Sequence, residues 1–162
     1  MSATEALYQE LILEHHRKPR NFREMEDATV SVEGRNRLCG DALTLWMKLN
    51  GDEIADVSFR GQGCAISKAS ASIMTSTIKG KTRAEAEQLF EQFHKLVTGH
   101  LDEAEQKSLG SLRAFAGVSK FPLRVKCASL AWHAMKSALE GGAATVTTDD
   151  ADQGPPPDAC PT

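Results

Sequence analysis

From Ala42 to Leu49, the apolar residues Leu43, Leu45, Met47 and Leu49 fall at every second position, the period of a strand with one buried face. Asn50-Gly51-Asp52 then reads as a turn, and Ile54 to Phe59 as the returning strand. An antiparallel hairpin constrains more than its own two strands. The residue before its first strand and the residue after its second lie at the same end. Cys39 and Cys64 occupy those two places, so topology brings them together across 24 intervening residues.

The remaining elements sort into helices around this hairpin. Thr4 is placed to cap a helix to about Arg17, with Leu7, Leu11 and Ile12 or Glu14 on its inner edge and Pro19 stopping it. Residues 29–34 alternate weakly and predict one further strand. After the connector Gly61-Gln62-Gly63, a Ser/Ala-rich helix is predicted over Ala65–Lys79, with Ile66, Ala69, Ile73 and Met74 as its apolar stripe and Gly80 at its end. Thr82-Arg83-Ala84-Glu85 is a capping-box pattern opening a helix to about Val97. A shorter helix follows from Asp102 to Leu109, and a last one from near Pro122 to Glu140. From Gly142 onward the chain is proline, glycine and acidic residues with almost nothing bulky and apolar, the composition of a disordered tail. The expected fold class is α+β, a small three-stranded antiparallel sheet packed against helices, with one domain over 1–141 and a tail over 142–162.

With 162 residues the chain can build one core but not two comfortable ones. A net charge of −3 leaves no basic excess for a nucleic acid partner. No stretch approaches the ~18 apolar residues of a membrane helix, and the first twenty residues lack a secretory apolar run, so a soluble, cytoplasmic chain is expected. In that compartment four cysteines are thiols or metal ligands before they are a disulfide framework.

Cys39-Gly40-Asp41 leads into the strong strand; residues two apart on extended backbone share a side, so thiol and carboxylate can converge. Cys127 sits in an early turn of the last helix after Lys126, where a helix N-terminus and a neighbouring cation favour a thiolate. Cys39, Asp41, Cys64 and Cys127 together suffice for tetrahedral zinc, and their softness ranks zinc above magnesium or calcium. Against this stands the blander reading of each as an inert buried cysteine, since C-x24-C-x62-C contains no C-x-x-C.

Four segments in order resemble the U-type iron–sulfur cluster assembly family. They are Leu7-Tyr8 with Ile12, His15 and Pro19-Arg20-Asn21; Asn36-Arg37-Leu38-Cys39-Gly40-Asp41; Phe59-Arg60-Gly61-Gln62-Gly63-Cys64-Ala65-Ile66-Ser67-Lys68-Ala69-Ser70; and Arg124-Val125-Lys126-Cys127 with Leu130-Ala131-Trp132. Together they cover about residues 4–141. In the IscU-like scaffold branch a histidine precedes the third cysteine, and a short proline-rich chaperone-recognition motif lies upstream. Here Lys126 stands in its place, Phe121-Pro122-Leu123-Arg124-Val125-Lys126 is not that motif, and residues 81 to about 100 look inserted. Both departures are similar to the SufU branch. That resemblance implies one zinc ion per chain on Cys39, Asp41, Cys64 and Cys127, and sulfur acceptance at Cys39 from a SufS-type cysteine desulfurase. It further implies onward transfer to downstream SUF cluster-assembly machinery. Arg124 and Lys126 are auxiliary candidates at the rim. A scaffold that assembles and passes on a transient cluster is the alternative. An ammonium, unlike an imidazole, ligates no transition metal, which favours transfer over storage.

Other candidates carry weaker expectations. His15 and His16 close the first helix, where capping or surface placement is favoured. His94 and His100 read as solvated, and His133 lies off the helical face of Cys127. Trp46 and Trp132 read as packing residues, and Cys160 as a spare thiol in the tail.

Overall fold

The computed structural model describes residues 3–141 and 144–148. Its elements run α1 (Ala3–Arg17), β1 (Val30–Asn36), β2 (Asp41–Asn50), β3 (Glu53–Gln62), α2 (Ala65–Ile78), α3 (Arg83–Val97), α4 (Glu103–Gln106), a 3₁₀ segment (Lys107–Lys120), α5 (Pro122–Glu140) and β4 (Thr145–Thr147). No described helix is long and apolar enough to cross a membrane.

The sheet order is β3-β2-β1-β4. The β2–β3 hairpin pairs from Ala42↔Gln62 to Asn50↔Glu53, and β1 pairs antiparallel with β2 from Val30↔Met47 to Asn36↔Asp41. Leu43, Leu45 and Met47 are buried, while a register shift after Lys48 leaves Leu49 only partly so. The expectation of three antiparallel strands is corrected: the sheet has four strands and is mixed, because Thr145–Thr147 runs parallel to Glu33–Arg35. Three residues of Thr-Val-Thr hold their place through that pairing and through Thr148, whose N–H reaches Arg35 O and whose hydroxyl reaches Lys126 O. This strand lies within the span read as tail. Residues 142–143 and 149–162, Cys160 among them, lie outside the described residues.

The helices cover one face. α2 packs between α1 and α5, and α5 lies on β1. The Ser/Ala composition of α2 lets neighbours approach closely, and the buried Ser70 hydroxyl is paired: its Oγ donates to Ala128 O and accepts from Trp132 Nε1. Trp132 stacks on Phe93 with ring centroids 4.5 Å apart, so it is a packing residue of the deep core; Trp46 is half-buried. The capping box at Thr82 and Glu85 forms. The helix expected to reach Leu109 stops at Gln106, and the chain tightens into the 3₁₀ segment, broken at Gly110.

Two expectations for α1 change. Leu7 is 66% exposed, while Leu11 and Ile12 face the core. His15 is buried rather than a surface cap, with its Nδ1 2.7 Å from Ser72 Oγ, which also accepts from Arg20 N. Burial, then Arg20, lowers the His15 pKa below 6.5, and Glu14 opposes them. The unfolded chain therefore takes up this proton more readily than the folded one. Stability is complete above about pH 6.5 and falls on acidification through the window between the two values. Burial, His94 and Lys136 lower His133 as well, in the same sense. Urea unfolding from pH 8 to 5 is expected to show this loss, with a shallower slope in His15→Gln.

Candidate metal centre

The site sits at one end of the β2–β3 hairpin. Cys39 lies in the turn of residues 37–40 between β1 and β2, Asp41 opens β2, and Cys64 follows β3. Gly40 takes φ +72°, a left-handed conformation that closes this turn and that a side chain resists. Cys64 is the N-cap of α2, its sulfur accepting from Ser67 N at 3.5 Å. Cys127 enters from α5 in its second turn, fully buried.

Cys39, Asp41 and Cys127 form a group whose ligand atoms all lie within 4.8 Å of one another. Cys64 is not a member of that group, but its Sγ is 3.7 Å from Asp41 Oδ2 and its N–H donates to Asp41 Oδ1 at 2.8 Å. Cys127 Sγ donates to Cys39 Sγ at 2.9 Å. Ligand atoms about 2.0–2.3 Å from a tetrahedral zinc are themselves roughly 3.3–3.8 Å apart, so this spacing suits such an ion after small side-chain rotations. The donors are soft sulfur with one carboxylate, chemistry that fits zinc.

The helix N-terminus acts on a different cysteine from the one expected. A hydrogen bond from Cys127 holds Cys64 below the ordinary thiol range; burial opposes it, while Ser67 and Ile66 N–H groups at the start of α2 assist it. That bond, burial, and the charges of Cys64 and Asp41 push the Cys127 thiol up. Cys127 lies too far inside α5 to feel its N-terminus as Cys64 feels that of α2.

The basic rim also differs from expectation. Lys126 is buried, and its side chain lines a cavity of about 410 Å³ with His94, Pro122, Ser129, His133 and Thr148, a lining that includes none of the four candidate ligands. One residue step on a helix turns about 100°, which sends Lys126 and Cys127 to different faces. Arg124 stacks over Phe121, with its guanidinium 4.5 Å from the ring centroid, and Lys68 lies over Phe22.

Two residues given no site role by sequence reasoning define the geometry. Asn36 is fully buried and its Nδ2 donates to Cys127 Sγ at 3.6 Å. Gly63, read as part of a flexible connector, has φ +154°, and a Cβ there would overlap Asp41 Oδ1. The signal for Gly63 was its place one residue before Cys64; that for Asn36 was its place at the end of a strand facing Asp41.

Comparison with known proteins bears on the same residues. The family model for the NifU-like N-terminal domain matches residues 7–128. A Bacillus subtilis protein named zinc-dependent sulfurtransferase SufU is 42% identical over 141 residues, covering 85% of this chain and 95% of that one. A Streptococcus pyogenes protein named iron–sulfur cluster assembly scaffold protein IscU is 39% identical over 143 residues, covering 88% and 89%. Among solved structures, a Fervidobacterium islandicum protein assigned as a SUF-system assembly scaffold superposes with a TM-score of 0.76 at 35% identity, covering 85% of this chain and 99% of that one. The chain belongs to the NifU-like N-terminal domain family of iron–sulfur cluster assembly proteins.

Proposed function

We propose that this chain is a zinc-dependent sulfur acceptor that takes persulfide sulfur from a SufS-type cysteine desulfurase and passes it to downstream SUF cluster-assembly machinery. The observation carrying this reading is a difference in access. Cys39 is only half-buried on a turn, whereas Cys64 is 5% exposed and Cys127 0%. A sulfur that must meet a partner's persulfide needs such a position, and sulfurs that hold a metal do not.

Cys39, Asp41, Cys64 and Cys127 would hold the metal. Zinc bound there would keep its sulfur ligands as thiolates at neutral pH, and it has no redox chemistry of its own. The Cys39 thiolate attacks the outer sulfur of the desulfurase persulfide. A new S–S bond forms at Cys39, the old one breaks, and the desulfurase cysteine leaves as a thiolate while the proton stays on the transferred sulfur. Asp41 and the buried pair Cys64 and Cys127 keep their positions through the exchange.

The test is alanine production by a SufS-type desulfurase supplied with cysteine and reductant, with and without the zinc-loaded chain. A several-fold, zinc-dependent rise in turnover is expected. No rise, together with a stable cluster when iron is supplied, would assign the chain to the scaffold class instead.

A further inference from the structure

Asn36 ends β1 directly opposite Asp41 in the ladder and is 0% exposed. Two of its hydrogen bonds involve different cysteines, and a third holds the turn at Leu38. The side-chain Oδ1 accepts from Leu38 N at 3.3 Å, and the main-chain carbonyl accepts from Cys39 N at 3.3 Å. On the other side Nδ2 donates to Cys127 Sγ at 3.6 Å. The amide cannot be turned over, because Leu38 N–H would then face an NH₂ group rather than an oxygen. Asn36 thus ties the turn carrying Cys39 to a sulfur carried by α5.

A buried asparagine at a hairpin end often does no more than satisfy the turn through its side-chain oxygen. That role needs only the Oδ1 contact. The Nδ2 contact to sulfur is additional to it, and a donor aimed at a buried sulfur orients that sulfur and engages one of its lone pairs.

We propose that Asn36 is a positioning residue that decides which sulfur accepts: it holds Cys127 Sγ in the cluster and steadies the turn that carries the half-buried Cys39. This rests on the sulfur-acceptor reading above. It assigns the selectivity among three neighbouring cysteines to a single buried amide rather than to exposure alone.

Asn36→Ser separates the two roles, because a serine hydroxyl can still accept from the N–H two residues on but is too short to reach Cys127. The reduced, zinc-loaded full-length protein is mixed with persulfide-loaded desulfurase, quenched with an alkylating agent and digested. Mass spectrometry then measures added sulfur on the Cys39 and Cys127 peptides. Wild type is expected to carry it on Cys39. In Asn36→Ser the share on Cys127 is expected to rise about tenfold, the scale of losing one hydrogen bond to a charged group. A second readout needs no partner: with Co²⁺ in place of zinc, the thiolate-to-metal absorption is expected to shift in Asn36→Ser. Thermal unfolding checks that the variant remains folded. Added sulfur on wild-type Cys39 with an unchanged Cys127 share and an unchanged cobalt spectrum in the variant would overturn the role of Asn36 alone. No added sulfur on wild type would overturn the acceptor reading and this inference with it.

Discussion

Cys39→Ala is expected to abolish sulfur acceptance and return desulfurase turnover to its rate without this chain, because the variant lacks the attacking nucleophile outright. Stability of the metal-free protein should barely move. Cys39 is half-buried on a turn, and substitutions at such sites usually stay within about 0.5 kcal/mol. Cys127→Ala should behave differently. Its sulfur is fully enclosed and contacts Cys39 and Asn36, so removing it leaves a void and a buried Asn36 amide without its sulfur partner. The two variants therefore part along separate axes in the reduced, metal-free protein. Cys39→Ala loses transfer and keeps that protein's unfolding midpoint, whereas Cys127→Ala lowers it. Paired urea titrations and alanine-production assays on the two proteins make the comparison. Undiminished stimulation by Cys39→Ala would move the acceptor role to another cysteine.

The part of the fold legible in the sequence is the part governed by local period and by punctuation. Alternation from Leu43 to Met47 and the turn at Gly51 set the hairpin, and the hairpin brings Cys64 against Asp41 at its open end. Thr82 and Glu85 announced α3 through chemistry contained within four residues. What stayed hidden depends on contacts remote in sequence. β4 is three residues long and exists through its pairing with Glu33–Arg35, more than a hundred positions earlier. His15 read as a helix-end cation because its partner, Ser72, lies on another helix. Lys126 was read from its adjacency to Cys127, and neither its burial nor the cavity it lines with His94 and His133 could be seen along the chain. The helix-terminus argument was sound chemistry attached to the wrong cysteine: Cys64 caps α2, while Cys127 sits past the first turn of α5.

Gly63 illustrates how a residue without a side chain controls a metal centre. With φ at +154° it holds a conformation L-residues rarely adopt, and an added Cβ would overlap Asp41 Oδ1 and lie 3.0 Å from Asp41 Cα and Cγ. Asp41 is 2% exposed, so it has little room to retreat, and its Oδ1 is the acceptor for Cys64 N. Gly63→Ala is therefore expected to expel the Asp41 carboxylate, release the Cys64 backbone and weaken zinc binding by roughly 10–100-fold, the usual scale for disturbing groups that orient metal ligands. Gly40→Ala is the control. Gly40 also has positive φ, at +72°, but nothing lies within 4 Å of its missing Cβ, so that variant incurs only backbone strain of about 1 kcal/mol. Zinc competition against a chromophoric chelator reads all the variants, with Asp41→Ala added to close a cycle. If the glycine acts through the carboxylate, Gly63→Ala should cost little further affinity once Asp41 is already alanine. Additive losses would mean instead that the α2 backbone around Cys64 carries the effect, and zinc affinity equal to wild type in Gly63→Ala would remove Asp41 from the ligand set.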